Sequence, residues 1–210
     1  MTKRLEDEFN KMVYNNQPMK LNLVGLVLMF SCTFLIISAT FFNISFDYGK
    51  VFSASSESAV YNYIPQIPII IMIAALLGPR MGCLSVLMYL VAGLFFPVFA
   101  LGGGIQYILQ PGFGYILSYI PAVVVAGSVL RKNFKFSSVL KAACFGTLII
   151  HLCGLVYALL VMMLSHNFYG NVVDFILMQS TIKLLLDFIF CIIAAYAALF
   201  IKKLLWLVIG

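Results

Sequence analysis

The stretch Leu76-Leu77-Gly78-Pro79-Arg80, followed by one apolar run and ending in Gln110-Pro111-Gly112-Phe113-Gly114-Tyr115, decides how this chain folds. It begins with a tight basic turn and ends with a loop rich in glycine and proline that holds no charged residue. Loops exposed to water are normally polar. The absence of charge therefore predicts that this loop folds back onto the protein and covers part of it.

Outward from this stretch, the composition places the chain in a lipid bilayer. Of the 210 residues, 63% are hydrophobic and 10% are charged, whereas a soluble domain carries about 25% charged residues. A chain of this length accommodates about six spans of about 20 residues each. The sequence predicts an all-α, polytopic membrane protein with six transmembrane helices: a six-helix membrane domain at residues 21–210, preceded by a cytoplasmic N-terminal segment at residues 1–20.

Six apolar segments mark the predicted spans. They are Leu21–Phe42, Asn62–Leu77, Cys83–Leu101, Phe113–Leu130, Val139–Leu164 and Phe175–Ile201. The second segment is short for a full crossing and has Pro65 and Pro68 in its first turn, where a missing N–H costs little. A short helix leaves space above it at one face of the membrane, where a ligand could enter.

Basic residues predict the orientation, because Lys and Arg accumulate in cytoplasmic loops. One side of the membrane receives Lys3, Arg4, Lys11, Lys20, Arg80, Arg131, Lys132, Lys135, Lys141, Lys202 and Lys203, and the other receives Lys50. Both termini are therefore predicted in the cytoplasm, with the loops at residues 43–61, 102–112 and 165–174 facing outward. The formal net charge of +6 thus reflects membrane orientation and does not call for a nucleic-acid partner.

Several classes of chemistry lack their sequence patterns. The chain has no GxxxxGK[ST] phosphate loop, no HExxH motif and no Ser/His/Asp arrangement. We therefore expect no enzyme activity, no catalytic residues, no metal and no cofactor, and any ATP-derived energy has to come from a partner. The five cysteines form no CxxC pair and are interpreted as buried structural thiols: Cys32, Cys83, Cys144, Cys153 and Cys191. His151 is interpreted as a packed, neutral core histidine.

A polar face on the sixth predicted span is the strongest candidate site. Gln179, Ser180, Lys183 and Asp187 share one side of a helix by their spacing. An ionisable side chain near the middle of a bilayer costs about 2.5–3.5 kcal/mol and usually faces the bundle interior. Two interpretations remain open. Lys183 and Asp187 neutralise each other at i, i+4, or they line a pocket in which Asp187 accepts ligand N–H groups and Lys183 donates to an oxygen.

The uncharged loop is the second candidate. Gly102, Gly103 and Gly104 allow close backbone approach to a ligand, and Gln106 and Tyr107 add side-chain polarity. An ordinary tight connection explains the same glycines.

Several short motifs in the deciding stretch resemble the signature of the BioY family. They are Leu76-Leu77-Gly78-Pro79-Arg80-Met81-Gly82, Leu84-Ser85-Val86-Leu87-Met88-Tyr89-Leu90, Gly93, Phe96-Pro97-Val98-Phe99, Gly102-Gly103 and Gly114-Tyr115. Proteins of this family take up biotin and act as substrate-binding S components of energy-coupling-factor (ECF) transporters. The resemblance implies a six-helix bundle that holds biotin near its outer side. It also implies a partner module of one membrane T component and two ATPases, although some members occur without that module.

Together, the polar face and the resemblance imply a set of substrate-binding residues: Gln66, Tyr89, Gly102, Gly103, Gly104, Gln106, Tyr115, Ser180, Lys183 and Asp187. The chain departs from the family at its last helix, which usually carries Gly-Asp-x-x-Lys. One alignment keeps Asp187 and places Phe190 at the lysine, while the other keeps Lys183 and places Ser180 at the aspartate. Both alignments remain open.

The resemblance thus implies a biotin-binding component that mediates biotin uptake in the cell membrane of a prokaryote. Its expected partners are biotin, the lipid bilayer and, where a coupling module is used, the T component and two ATPases. The first span lacks the Ala-x-x-x-Ala pattern with which the family contacts its T component, so dependence on that module stays open. The alternatives are an S component for another small vitamin and a non-transporting membrane subunit.

Overall fold

A computed structural model describes residues 23–47, 60–100, 102–132, 134–164, 180 and 182–209. Its elements are α1 (Leu23–Phe41), β1 (Ile44–Asp47), β2 (Val60–Tyr63), α2 (Gln66–Phe95), a 3₁₀ helix (Ile105–Leu109), α3 (Phe113–Leu117), α4 (Tyr119–Lys132), α5 (Phe136–Leu164) and α6 (Ile182–Ile209). Within these ranges, five helices are long and apolar enough to cross a membrane, α3 and α4 counting as one. The predicted segment at residues 1–20, the loop at 165–174, Lys50 and Gln179 lie outside the described residues.

The helix α2 contains the second and third predicted spans, and it folds back on itself at Gly78. This glycine has φ 73° and ψ −175°, a backbone region that residues with a Cβ atom avoid. The Gln66 side-chain Nε2 lies 2.9 Å from the Tyr89 hydroxyl, although a straight helix would separate these residues by about 34 Å. The predicted Gly-Pro-Arg turn therefore joins two arms, residues 66–77 and 79–95, that run in opposite directions.

The predicted loop between α1 and α2 contains a short two-stranded ribbon in an otherwise helical fold. There β1 pairs antiparallel with β2, with Ile44 opposite Tyr63 and Asp47 opposite Val60. Both strands are rich in β-branched and aromatic residues, which favour extended backbone. Asn62, where the second span was predicted to begin, therefore lies in a strand.

The short first arm of α2 lies at the centre of the bundle. Four of its isoleucines are fully buried: Ile67, Ile70, Ile71 and Ile73. On the neighbouring α1, the Thr33 hydroxyl donates to the Ser85 carbonyl at 3.1 Å and so links α1 to the second arm of α2. Hydrogen bonds of this kind join helices in a bilayer, where burial of apolar surface supplies no drive for association.

The last helix, α6, packs through small side chains. Asp187, Cys191, Ala195 and Ala198 are all 0% exposed and recur at the spacing of one helical face. The interpretation of the cysteines as buried holds for Cys191 and Cys32. It is wrong for Cys153, which is exposed because it lies on the outward face of α5, and Cys83 and Cys144 are only partly buried.

Basic residues collect at one end of the bundle, which we call the basic end. A Cβ atom on Gly127 of α4 would lie 2.7 Å from the Pro79 nitrogen, so the turn of α2 and the last turn of α4 are neighbours. Arg80 follows that turn, and Arg131 and Lys132 close α4. The loop after α2 therefore lies at the opposite end, as the alternation of helix directions requires.

Candidate ligand-binding site

The loop at residues 96–112, which we call the cover loop, lies directly on the end of α2. The Gly104 N–H donates to the Gly93 carbonyl at 2.9 Å. A Cβ atom on Gly103 would lie 2.2 Å from the Phe96 carbonyl oxygen and 2.7 Å from the Gly93 carbonyl oxygen. Backbone atoms cannot yield to such an overlap, so this approach requires glycine. The structure thus confirms that the uncharged loop folds back onto the protein.

An aromatic cluster fixes the cover loop from below. Phe99 is 1% exposed, and its ring centroid lies 5.4 Å from that of Tyr89, 4.8 Å from that of Tyr107 and 6.3 Å from that of Phe113. Such pairs contribute beyond their buried area. The Tyr157 hydroxyl also donates to the carbonyl of Ile108, which ties the 3₁₀ helix to α5. The cover loop therefore forms an apolar plug over the side chains at this end of the helix bundle.

The first polar cluster beneath the plug is centred on the Gln66 amide. Its Nε2 donates to the Thr40 hydroxyl at 2.6 Å and to the Tyr89 hydroxyl at 2.9 Å. Its Oε1 accepts from the Tyr119 hydroxyl at 3.0 Å. Both amide hydrogens are thus used, and all four side chains are buried. Gln66 therefore connects α1, both arms of α2 and α4 at the covered end.

Replacing Tyr119 with phenylalanine should lower the free energy of unfolding by about 1–3 kcal/mol, because the buried Gln66 carbonyl would lose its donor. Thermal unfolding in detergent measures the effect. The control is Tyr196→Phe, since Tyr196 is 41% exposed on α6. Equal melting temperatures for the two variants would contradict the prediction.

The second polar cluster surrounds the Asp187 carboxylate. Its Oδ1 accepts from the Tyr63 hydroxyl at 2.7 Å, and its Oδ2 lies 3.1 Å from the His151 Nε2. The other ring nitrogen of His151 lies 3.4 Å from the Ser180 hydroxyl. That hydroxyl is 2.9 Å from the Tyr115 hydroxyl. The cluster therefore joins β2, α3, α5 and α6 around one buried carboxylate.

Among the residues that the structure describes, the basic side chain that contacts the Asp187 carboxylate is His151, at 3.1 Å, and not Lys183. The direct contact that the self-neutralising interpretation would place between Lys183 and Asp187 is therefore not seen among these residues. Lys183 is partly buried in the first turn of α6, about 6 Å above Asp187 along the helix axis. A buried carboxylate requires compensation by hydrogen bonds or by charge. Here the contacts come from Tyr63 on β2 and His151 on α5.

The two open alignments of the last helix can be compared with this geometry. Asp187 is the fully buried acid, whereas Phe190, which replaces the lysine in that alignment, packs against Tyr63 with the rings tilted by 35° and their centroids 5.4 Å apart. In the other alignment, Ser180 occupies the aspartate position and bonds to Tyr115. Both Asp187 and Ser180 belong to one cluster, and Lys183 lies between them in the sequence.

The structure brings together half of the predicted binding residues. Gln66 and Tyr89 lie in the first polar cluster and Tyr115, Ser180 and Asp187 in the second. The remaining five lie outside the two clusters: Gly102, Gly103 and Gly104 are in the cover loop, Gln106 is exposed on the 3₁₀ helix, and Lys183 is partly buried one turn before Asp187 in α6.

Sequence reasoning did not assign four members of the clusters to the site: Thr40, Tyr63, Tyr119 and His151. The spacing of Tyr119 four residues after Tyr115 was an available signal, because i and i+4 share a helix face. The burial predicted for His151 is confirmed at 2% exposure, but its polar partners were missed. The signal was a histidine within one span and an aspartate within another.

A bundle of apolar helices that buries a carboxylate, a histidine and several hydroxyls beneath an apolar plug defines a multi-pass membrane protein with an internal polar site. A profile of the BioY family matches residues 16–206. The chain belongs to the BioY family.

Similar proteins support the assignment. The chain is 43% identical over 68 residues to a probable biotin transporter BioY of Lysinibacillus sphaericus, and 38% identical over 91 residues to one of Pyrococcus horikoshii. These alignments cover 32% and 42% of this chain but only 35% and 53% of the relatives. The biotin transporter BioY of Thermotoga maritima is 31% identical over 142 residues, which cover 66% of this chain and 79% of that protein.

A solved structure shares the fold. The crystal structure at 2.1 Å of the S-component for biotin from an ECF-type ABC transporter aligns with a TM-score of 0.66 and 22% identity. The alignment covers 88% of this chain and 95% of that chain.

Proposed function

We propose that this protein binds biotin in the polar site and mediates its uptake as the S component of an ECF transporter. The observation that carries the proposal is the buried Asp187 carboxylate at the covered end. Biotin presents two ureido N–H donors, which lie on either side of its ureido carbonyl and point away from each other. A carboxylate has about four acceptor positions, and Tyr63 and His151 use two of them. One of the remaining positions accepts one ureido N–H of biotin, and the other ureido N–H points away from this carboxylate.

The other polar side chains complete the proposed site. Lys183, one turn above Asp187, donates to an oxygen of biotin, and Ser180 and Tyr115 border the ring. Gln66 and Tyr89 line the site on the α2 side. The glycines of the cover loop allow its backbone to approach the ligand closely. The rings under the cover loop are the apolar surface on which the aliphatic tail of biotin lies.

The proposed topology has six spans with both termini in the cytoplasm. The two arms of α2 count as two spans, joined by the Gly78 turn at the basic end. Because Lys and Arg favour the cytoplasmic side, that end faces the cytoplasm and the cover loop faces outward. Biotin then reaches the site from outside a prokaryotic cell membrane.

The coupling partners belong to the same proposal. The sequence has no phosphate loop, so ATP hydrolysis has to be supplied by two ATPase subunits acting through a membrane T component. The fold shared with an S-component supports this assignment.

A second candidate is the binding of another small vitamin. The observation that favours it is Phe190, which lies where one alignment expects the family's lysine and instead packs against the ring of Tyr63. Competition of bound tritiated biotin by other vitamins distinguishes the two candidates.

The experiment that tests the proposal is binding of tritiated biotin to the purified protein, together with uptake by cells that lack their own biotin transporter. We expect saturable binding, and uptake either alone or with a T component and two ATPases. Absence of both binding and uptake would contradict the proposal. Binding without uptake in either setting would leave a non-transporting subunit as the function.

A further inference from the structure

We infer that His151 is a positioning residue for the substrate, acting by fixing the Asp187 carboxylate in the orientation that receives the ligand. The inference rests on the proposed function, because it concerns the same site. The resemblance to the BioY family implies an Asp-x-x-Lys motif in the last helix. This chain keeps either the aspartate or the lysine of that motif, but not both. The structure supplies a hydrogen-bond partner of the aspartate from α5 instead.

The chemistry of the carboxylate indicates which histidine tautomer fits this contact. An ionised carboxylate only accepts hydrogen bonds, so the His151 Nε2, at 3.1 Å from the Asp187 Oδ2, carries the hydrogen. The Tyr63 hydroxyl donates to the other carboxylate oxygen at 2.7 Å. With one donor on each oxygen, the carboxylate has a single preferred plane.

The far side of the imidazole ring is also held. The His151 Nδ1 faces the Ser180 hydroxyl at 3.4 Å, and that hydroxyl pairs with Tyr115. The ring centroids of Tyr115 and His151 are 6.0 Å apart in an edge-to-face arrangement at 80°. The ring therefore has polar contacts at both nitrogens and an aromatic contact on its side.

Packing around α5 further restricts the ring. A Cβ atom on Gly154, three residues after His151, would lie 2.5 Å from the Tyr115 ring. This glycine lets the Tyr115 ring approach α5 at that point, next to the histidine. His151 thus occupies a preorganised position, which is the condition for one group to orient another.

Substitution of His151 by glutamine or by asparagine distinguishes the roles of its two ring nitrogens, because each amide nitrogen takes the place of one of them. The Gln side-chain nitrogen reaches the place of the imidazole Nε2 and can donate to Asp187, whereas the shorter Asn side chain reaches only the place of Nδ1. We expect His151→Gln to keep the biotin dissociation constant within about threefold of the wild type, because the donor to the carboxylate remains. His151→Asn and His151→Leu should raise it by about tenfold, because the hydrogen bond to a charged group is lost.

Binding of tritiated biotin to the purified full-length variants measures these constants. Equal losses for Gln and Asn, or wild-type affinity for Leu, would overturn the inference. The difference in biotin dissociation constant between His151→Gln and His151→Asn tests the inference even where the His151→Leu variant fails to fold. Failure of the proposed function is distinct, since the wild type would then bind no biotin at all.

Discussion

Replacing Asp187 with asparagine should weaken biotin binding by about 100-fold or more. Asparagine has one acceptor oxygen and one amide group that donates, whereas the site directs donors at both carboxylate oxygens from Tyr63 and His151. One of these two donors would then face the amide hydrogens. Hydrogen bonds to a charged group contribute about 1.5–3 kcal/mol each, and two donors would lose a charged acceptor: the ureido N–H at this carboxylate, and either Tyr63 or His151. Every 1.4 kcal/mol is about tenfold in affinity.

The matched control is Asp47→Asn, which makes the same chemical change on β1, outside the helices. We expect its biotin dissociation constant to stay within about twofold of the wild type. Titration of both purified variants with tritiated biotin, alongside their melting temperatures, separates lost binding from lost folding. A folded Asp187→Asn variant with wild-type affinity would show that biotin does not bind at this carboxylate.

The sequence predicted those features that depend on residues close together in the chain: the turn in α2, the cover loop and the polar face of the last helix. The Gly78-Pro79-Arg80 turn was predictable because the break in α2 has a positive φ that glycine adopts readily. The position of the cover loop followed from its lack of charge, since an uncharged loop between apolar spans gains by packing against protein. Ser180 and Asp187 were found because helical spacing places them on one face.

The partners of these residues were not predictable in the same way. Tyr63 is 124 positions away from Asp187 in the chain, and His151 is 36 positions away. Whether they meet depends on the rotation of each helix about its axis and on the β1–β2 ribbon, which no periodicity specifies. A lysine four positions from Asp187 looked like the natural ion-pair partner by spacing alone. The bundle instead brings a histidine from α5 to the carboxylate.

The remaining large effect concerns the cover loop. Replacing Gly103 with alanine should detach the loop from the end of α2, because the new Cβ would lie 2.2 Å from the Phe96 carbonyl oxygen. Both atoms belong to the backbone or are fixed to it, so relief requires movement of the loop itself. The Gly104 N–H would then lose the Gly93 carbonyl, and Phe99 would be withdrawn from its aromatic cluster. Exposure of that ring should lower the free energy of unfolding by several kcal/mol, since full loss of a buried phenylalanine side chain costs about 3–5 kcal/mol.

The same loop provides the control. A Cβ atom on Gly112 would meet only the Tyr107 hydroxyl, at 3.6 Å, and the φ of Gly112 is −68°, which alanine adopts without strain. We therefore expect Gly112→Ala to match the wild type in melting temperature and in biotin affinity. Gly103→Ala should melt lower and bind biotin at least about tenfold more weakly, as 1.4 kcal/mol of lost closure would produce. If Gly103→Ala binds as tightly as Gly112→Ala, the docked loop does not hold the ligand, and retention has to come from the polar clusters alone.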